Sequence, residues 1–242
     1  MVTQTGRMMV VNPNQAIVDR ANIGLDDEFV DVYEFGTSQI YAFGTRVQIG
    51  ERVYRYNLVG AVDGAAGKLY QPGVIEANGD VTDMAVDTPA IGARQMEVTN
   101  GANTAIAVSE FANGWLHVND DTGEAYAYQI RDNDAIATSV AGTIYLYDQI
   151  KIALGAGATV SLTHSPYYQT IIHPSPPTSL VVGVMPGIVT AANYGWLQTW
   201  GPAAVLQQGT IYQGQDVMAS RTVDGAIEAY RISIRTGATG AG

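Results

Sequence analysis

The sequence predicts an all-β fold: an antiparallel β-sandwich or barrel-like body with an N-terminal arm and little helix. Short runs rich in β-branched and aromatic residues alternate between apolar and polar positions, which is the pattern of half-buried strands. Turn-forming Gly, Asn, Asp and Pro residues separate these runs at short intervals, as in sandwiches and barrels. Helical periodicity is scarce, so we do not expect helices alternating with strands.

Four runs show the alternation most clearly, and each is predicted to be a strand. The two faces of a strand carry alternate residues, so one set turns toward a core. The opposed sets are Val53 and Arg55 against Tyr54 and Tyr56, Ile144 and Leu146 against Tyr145 and Tyr147, Val160 and Leu162 against Thr159, Ser161 and Thr163, and Tyr230, Ile232 and Ile234 against Arg231, Ser233 and Arg235.

Turn signals lie between the runs. Asn-Gly or Asp-Gly between two alternating runs favours a tight hairpin. The predicted turns are residues 62–67, 77–80, 99–103, 112–114, 119–124 and 223–226.

Residues 1–40 are predicted to be an N-terminal arm. Pro13 and the residues that follow it predict two or three helical turns capped by Asn12 and ended by Gly24, with an extended arm as the alternative. Residues 25–35 combine five carboxylates with aromatic side chains, and we interpret them as an adhesive linker.

The rest of the chain is predicted to hold a main β domain at 41–172 and C-terminal strands at 178–235. The proline-rich corner at 173–179 separates them, because proline cannot donate a hydrogen bond to a strand ladder. Whether the two segments are one domain or two stays open. The small polar tail at 236–242 is predicted to be loose.

The composition excludes several classes of function. The chain has 242 residues and a net charge of −11, with twelve basic residues scattered singly, so a nucleic-acid partner is not expected and anionic membranes are disfavoured. No cysteine is present, which excludes disulfides and thiolate chemistry. No apolar run suits a spanning helix or a signal peptide, so we expect synthesis in a cytoplasm without export by that route.

Charged residues make up only 14% of the chain, against roughly 25% in an average soluble domain. This low density favours a surface that is covered in an assembly of identical or different subunits. The alternative is an exposed surface rich in Gly, Ala and Thr.

No catalytic or cofactor site is predicted. The three histidines, His117, His164 and His173, lack the helical spacing of a zinc-protease pair. His164 next to Ser165 would suit a hydrolase, but the Gly-x-Ser-x-Gly turn that usually carries the nucleophile is absent from the sequence. The acidic turns at 119–124 and 131–137 offer oxygen ligands for Ca²⁺ but do not match a calcium loop. We interpret these residues as ordinary turn and strand-end residues.

The stretch 191–205 carries two of the three tryptophans. In a regular strand, Trp196 and Trp200 lie on one face about 13 Å apart. Such a row of aromatic side chains is used in a hydrophobic core, in a subunit interface or as a platform for sugar rings. We favour a role in the core or in an interface.

Residues 41–71, with "YAFGTRVQIGERVYRYNLVGAVDGAAGKLYQ", resemble a pattern in structural proteins of tailed bacteriophages. Three later segments, 123–133, 157–174 and 194–206, look like further parts of the same pattern. Together with 41–71 the resemblance covers roughly two-thirds of the sequence. The group that the chain resembles is the capsid decoration, or cement, proteins.

The resemblance implies a non-enzymatic virion protein on the capsid exterior, made in the host cytoplasm and needing no cofactor. Its expected partners are the major capsid protein and copies of itself in a homotrimer, which adds avidity, and the acidic balance disfavours contact with packaged DNA. We expect an interface built from Phe29, Tyr33, Phe35, Trp196 and Trp200.

Three other readings stay open. One is a β-sandwich module that binds carbohydrate through Trp196 and Trp200. Another is a different virion part such as a tail or fibre protein, or the major shell protein, which usually has a long helix and a larger chain. The last is a glycoside hydrolase, for which no carboxylate pair is marked.

Overall fold

A computed structural model of the chain describes residues 17–18, 30–73 and 81–230. These residues form fifteen β-strands and no helix, so the all-β prediction is confirmed. No helix in these ranges is long and apolar enough to cross a membrane. The strands are β1 (Ile17–Val18), β2 (Arg46–Ile49), β3 (Arg52–Leu58), β4 (Leu69–Gln71), β5 (Val81–Val86), β6 (Gln95–Thr99), β7 (Trp115–Val118), β8 (Ala127–Asn133), β9 (Ala141–Leu146), β10 (Thr159–Thr163), β11 (Ile171–Ile172), β12 (Gly183–Val184), β13 (Tyr194–Trp200), β14 (Val217–Ala219) and β15 (Ile227–Ala229).

Six antiparallel strands close into a barrel in the order β10-β5-β6-β9-β8-β7. Alternate residues of each strand point inward and fill the barrel. The predicted pairs Ile144 with Leu146 and Val160 with Leu162 are fully buried there. Closure pairs every strand on both sides and removes exposed edges, so the barrel is a self-contained core.

The second body is a seven-stranded sheet in the order β1-β2-β3-β13-β12-β4-β11. Its central strands are buried on both faces, so their apolar runs are nearly continuous. Tyr54, Tyr56 and Trp196 pack on one face, and Leu197 packs with Tyr70 on the other. The sheet is therefore the middle layer between two apolar clusters.

The barrel is inserted into the sheet. The chain leaves the sheet after β4, builds the barrel from β5 to β10, and returns as β11, which pairs with β4. Residues 164–170 make the return and are fixed to the end of β3: Leu58 N donates to the Tyr167 carbonyl at 3.0 Å, and Thr170 N donates to the Leu58 carbonyl at 2.8 Å.

A row of aromatic rings in contact connects the two cores across this return segment, with Tyr168 and Phe43 packed edge to face and the other neighbours stacked. Phe111 belongs to the barrel core and Tyr56 to the sheet core. His164, Tyr168, Phe43 and Tyr194 lie between them. Successive ring centroids are 4.1 Å apart for Phe111 and His164, 5.0 Å for His164 and Tyr168, 5.6 Å for Tyr168 and Phe43, 6.2 Å for Phe43 and Tyr194, and 6.2 Å for Tyr194 and Tyr56. We call these six residues the aromatic row.

β14 and β15 form a two-stranded ribbon after the sheet. Gln207 makes a parallel bridge to Ile227, which ties the ribbon to the preceding segment. Asp224 fixes the predicted proline-rich corner to the turn at 223–226, since Ser175 N and Ser175 Oγ donate to its Oδ1 at 2.8 and 2.6 Å.

The predicted turns at 62–67, 99–103, 112–114, 119–124 and 223–226 each contain a turn or a bend. The turn predicted at 77–80 and the strand residues 231–235 lie outside the described residues. The helix predicted after Pro13 is wrong at Ile17–Val18, which pair as a strand with β2, because β-branched residues there complete a sheet edge.

Sheet neighbours come from both sides of the proline-rich corner, since β13 pairs with β3 and β12 pairs with β4. The grouping of strands by hydrogen bonds therefore does not follow the boundary between 41–172 and 178–235. The division into domains stays a prediction.

The last part of the predicted arm lies on the protein's own sheet. Val30 and Val32 are buried in the cluster around Trp196. Gly36 and Tyr194 exchange two backbone hydrogen bonds of 3.0 and 2.8 Å. Residues 30–36 are therefore a packed strap and not a free arm.

Gly195→Ala should destabilise the fold by about 1–3 kcal/mol, because a β-carbon at this position overlaps the Phe35 ring. Gly36→Ala is the matched control, since its β-carbon meets nothing within 4 Å. Denaturant unfolding of both variants measures the difference. Phe35→Ala should remove most of the cost of Gly195→Ala, and a cost unchanged in that background would contradict the packing of Phe35 on Gly195.

Candidate interaction surface

The two tryptophans of β13 lie in opposite environments because the strand contains a β-bulge. β13 pairs one-to-one with β3 from Tyr194 to Gln198, and the register then shifts so that Trp200 lies opposite Val53. A bulge adds one residue and inverts the alternation of side chains beyond it. Trp196 is 2% exposed and Trp200 is 74% exposed.

The prediction that both indoles share a face is therefore wrong, and so is the interface role of Trp196. This ring packs against Tyr41 and Tyr56 at centroid distances of 5.3 and 5.2 Å. It is a core residue that no partner reaches while the sheet is folded. Trp200 remains an interface candidate.

Gln198 holds the turn that follows the bulge. The side chain is 7% exposed, and its Nε2 donates to the Pro202 carbonyl at 2.7 Å, with the Trp200 and Gly201 carbonyls at 3.2 and 3.3 Å. Gly201 has a φ of +88°, and a β-carbon there would lie 2.5 Å from the Glu51 carbonyl oxygen, so only glycine fits. This turn fixes the backbone that carries Trp200.

A shallow groove of about 200 Å³ lies beside Trp200. Residues 181–184 form one wall, and residues 198–201 with Ala203 form the other. Val181 lines the groove and is 43% exposed, and the preceding residue in the chain, Leu180, is 81% exposed. We call Leu180, Val181 and Trp200 the Trp200 surface, an exposed apolar area on a rigid strand end.

The other predicted interface residues are Phe29, Tyr33 and Phe35. Tyr33 is 55% exposed, and its hydroxyl accepts a hydrogen bond from Arg52 Nη1 at 3.4 Å. Phe35 is half-buried and packs on Gly187 and on Gly195 of the chain's own sheet, and its interface role stays a prediction. Phe29 lies outside the described residues.

Sequence reasoning missed Leu180, Val181 and the role of Gln198. The signal for the first two was the apolar run that begins at Leu180, directly after the proline-rich corner. The sequence predicts this run only as part of the C-terminal strands at 178–235. No pattern in the sequence marks the bulge that turns Trp200 outward.

The contacts of His164 do not place it as the base of a hydrolase nucleophile. Its Nε2 lies 3.3 Å from Glu110 Oε1, and its ring is stacked between Phe111 and Tyr168. The adjacent Ser165 is 2% exposed, and Tyr167 N lies 3.4 Å from its Oγ. The imidazole is therefore part of the aromatic row and is not aimed at a nucleophile.

Glu110 anchors this imidazole from the barrel. Burial raises the pKa of the Glu110 carboxyl, but the hydrogen bonds from His164 and from the backbone N–H of Ala107 outweigh burial, so the pKa is lowered. The Ala107 N–H donates to Oε2 at 2.7 Å. The charged carboxylate is thus the form that fits the fold.

The other two histidines also make local contacts. Both ring nitrogens of the buried His173 lie against backbone carbonyl oxygens, Nδ1 3.2 Å from Pro174 and Nε2 3.1 Å from Ser179. His117 Nε2 lies 3.3 Å from Thr163 Oγ1. These contacts are those of strand-end and corner residues.

The acidic turn at 119–124 uses its carboxylates for the chain's own loop. Asp120 Oδ1 accepts hydrogen bonds from Thr159 N and Oγ1 at 2.7 and 3.1 Å, and Asp121 Oδ1 accepts one from Thr122 N at 2.7 Å. Within residues 30–73 and 81–230, no three His, Asp or Glu side chains converge in a metal-binding arrangement.

Models of known protein families, curated proteins and solved structures were compared with this chain, and none matches it. The resemblance to decoration proteins stays a prediction. Any function must therefore be argued from the surface itself.

Trp196→Ala and Trp200→Ala should differ sharply in stability. Loss of the buried ring should cost about 3–5 kcal/mol, while loss of the exposed ring should cost less than about 0.5 kcal/mol. Chemical unfolding measures both, and iodide quenching should act on the Trp200 fluorescence but not on that of Trp196. Equal stability losses would refute the bulge and the opposite environments that it creates.

Glu110→Gln should destabilise the protein at neutral pH by about 1–3 kcal/mol. A carboxyl whose folded pKa is lowered contributes stability above its unfolded pKa, about 4.3, and loses that contribution as pH falls through the folded value. The stability gap between wild type and variant should therefore be full at pH 6–7 and shrink below pH 5. The exposed Glu124→Gln is the control, and a gap that persists at pH 3 would contradict the stabilising role of the ionised Glu110 carboxylate.

Proposed function

We propose that this chain is a non-enzymatic virion structural protein that binds the outer surface of a capsid and stabilises the shell. The observation that carries the proposal is the Trp200 surface. The Trp200 ring is 74% exposed and shares the groove with Val181, which is 43% exposed and directly follows the 81% exposed Leu180 in the chain. These apolar groups lie in water on a backbone that the buried Gln198 side chain holds in place. Adjacent exposed apolar side chains are typical of contact sites.

The form of the body supports the same role. A protein that reinforces a shell must transmit load between neighbours without deforming. A closed barrel and a sheet buried on both faces, linked by the aromatic row, meet that demand because close-packed interiors have low compressibility.

The charge pattern supports a protein partner. The net charge of −11 opposes adsorption to packaged DNA, and the Trp200 surface is apolar, so capsid protein and sister subunits fit it better than nucleic acid does. Tryptophan at the centre of a contact typically dominates its energy. In a homotrimer, three such contacts would act together and raise the residence time on the shell.

A second function is favoured by one specific feature. A groove of about 200 Å³ lies beside the Trp200 indole. The flat face of an indole can stack on a sugar ring. A carbohydrate-binding module, in the virion tail or fibre or elsewhere, would use Trp200 without Trp196. A glycan array with wild type and Trp200→Ala tests it, and Trp200-dependent glycan binding would favour this reading over the capsid role.

Trp200→Ala should reduce occupancy on heads of the parent particle by about tenfold or more, which corresponds to roughly 1.4 kcal/mol or more per contact. Heads lacking the protein are mixed with limiting variant, sedimented and quantified. Trp115→Ala is the matched control, since Trp115 is also exposed, at 42%, but lies on the barrel.

Removal of residues 1–29 tests the predicted arm, because the packed strap at 30–36 is left in place. The deletion also removes the edge strand β1, so the free energy of unfolding of the truncated protein is measured beside its occupancy. Occupancy should fall if the arm contributes. Full occupancy of both the truncated protein and Trp200→Ala would refute the proposed contact, and cryo-microscopy of the particle would locate the protein directly.

A further inference from the structure

Two arginines lie directly opposite each other on the hairpin of β2 and β3. The register pairs Arg46 with Arg55. Tyr56 N donates to the Thr45 carbonyl at 3.0 Å, so the next pair along, Arg46 and Arg55, is a non-hydrogen-bonded pair, the type in which facing side chains are closest. Like charges placed this way repel and destabilise a sheet.

No carboxylate among the described residues forms an ion pair with either arginine. Within those ranges the structure pairs Glu110 with His164 and Glu228 with Arg221, and neither arginine of the hairpin takes part. Arg46 Nη2 donates to Gln48 Oε1 and Arg55 Nη1 donates to the Gly44 carbonyl, each at 2.8 Å. A guanidinium has five N–H donors, so both retain donors for a ligand.

The surroundings hold Arg55 in place. Its guanidinium stacks on the Tyr167 ring, with Cζ 5.8 Å from the centroid. The same ring closes over Gly44, where a β-carbon would lie 3.2 Å away. Arg55 also lies on a central strand, opposite the fully buried Leu197, so the backbone beneath the pair is rigid and a ligand would meet a partly organised site.

The pair is a local exception to the charge of the chain. Residues 46–55 carry three arginines and one glutamate in a protein with a net charge of −11. Arg46 and Arg55 are nine residues apart in the sequence and look isolated there, but the hairpin register brings them together.

We propose that Arg46 and Arg55 form a binding site for a single oxyanion group, a carboxylate or a phosphate. Guanidinium groups bind both in a fork of two hydrogen bonds. One oxyanion between the two side chains would replace a repulsion by two charge-assisted contacts. This proposal stands independently of the capsid role, because it rests on the hairpin and not on the Trp200 surface.

Titration of the intact protein with inorganic phosphate, followed by arginine side-chain NMR at constant ionic strength, tests the site. A short N-acetylated tri-glutamate peptide and acetate form parallel arms. Saturable shifts at Arg46 and Arg55 with phosphate alone assign the site to a small anion, and tighter binding of the peptide than of acetate assigns it to carboxylates of a protein partner.

Arg46→Gln and Arg55→Gln should each lower the affinity by about tenfold or more. Arg131→Gln is the matched control, since Arg131 also stacks on a tyrosine, Tyr145, at 5.7 Å, and should bind as wild type does. Arg46→Gln removes repulsion, so its melting temperature without anion should not fall, which separates loss of the site from loss of the fold. No saturable binding of any of the three probes by wild type up to about 10 mM, or unchanged affinity in both hairpin variants, would overturn the proposal.

Discussion

The contact on which the rest of the structure depends is the stack of rings between Phe111 and Tyr168, with the imidazole of His164 between them. It lies where the chain returns from the barrel to the sheet, and Glu110 holds the imidazole from the barrel side. The return segment is also held to β3 by backbone hydrogen bonds, but the described rings are what join the side chains of the two cores. Aromatic contact runs without a gap from one core to the other, and stacked rings add attraction beyond simple burial.

This coupling suits the mechanical role that we propose for the protein. The inserted barrel has no free edge, and the sheet is covered on both faces, so neither offers much room for internal movement. The exposed apolar groups then lie at a strand end fixed by Gln198 and Gly201. A rigid body that presents a small adhesive surface is what the proposed role in a shell requires, and the arginine pair on a neighbouring hairpin adds a place for a charged contact.

The sequence predicts the fold class well, because alternation along a strand is a local property. Val160 and Leu162 point into a core, as their spacing implies. Topology is not local: the insertion of the barrel between β4 and β11 depends on pairing across a hundred residues. The candidate site was predicted only in part. Trp200 is exposed, but the bulge that separates it from Trp196 is set by the turn at 200–202 and by the backbone of Glu51, which periodicity cannot show.

The central claim is that the barrel and the sheet form one cooperative unit through the aromatic row. Native-state hydrogen exchange tests it most directly, by comparing the opening free energies of amides in β9 and in β3. In the wild type, the account predicts equal opening free energies for the amides of β9 and β3. In His164→Ala, it predicts a lower opening free energy for β3 than for β9. Wild-type amides of β3 that exchange through an opening which leaves β9 protected would contradict it.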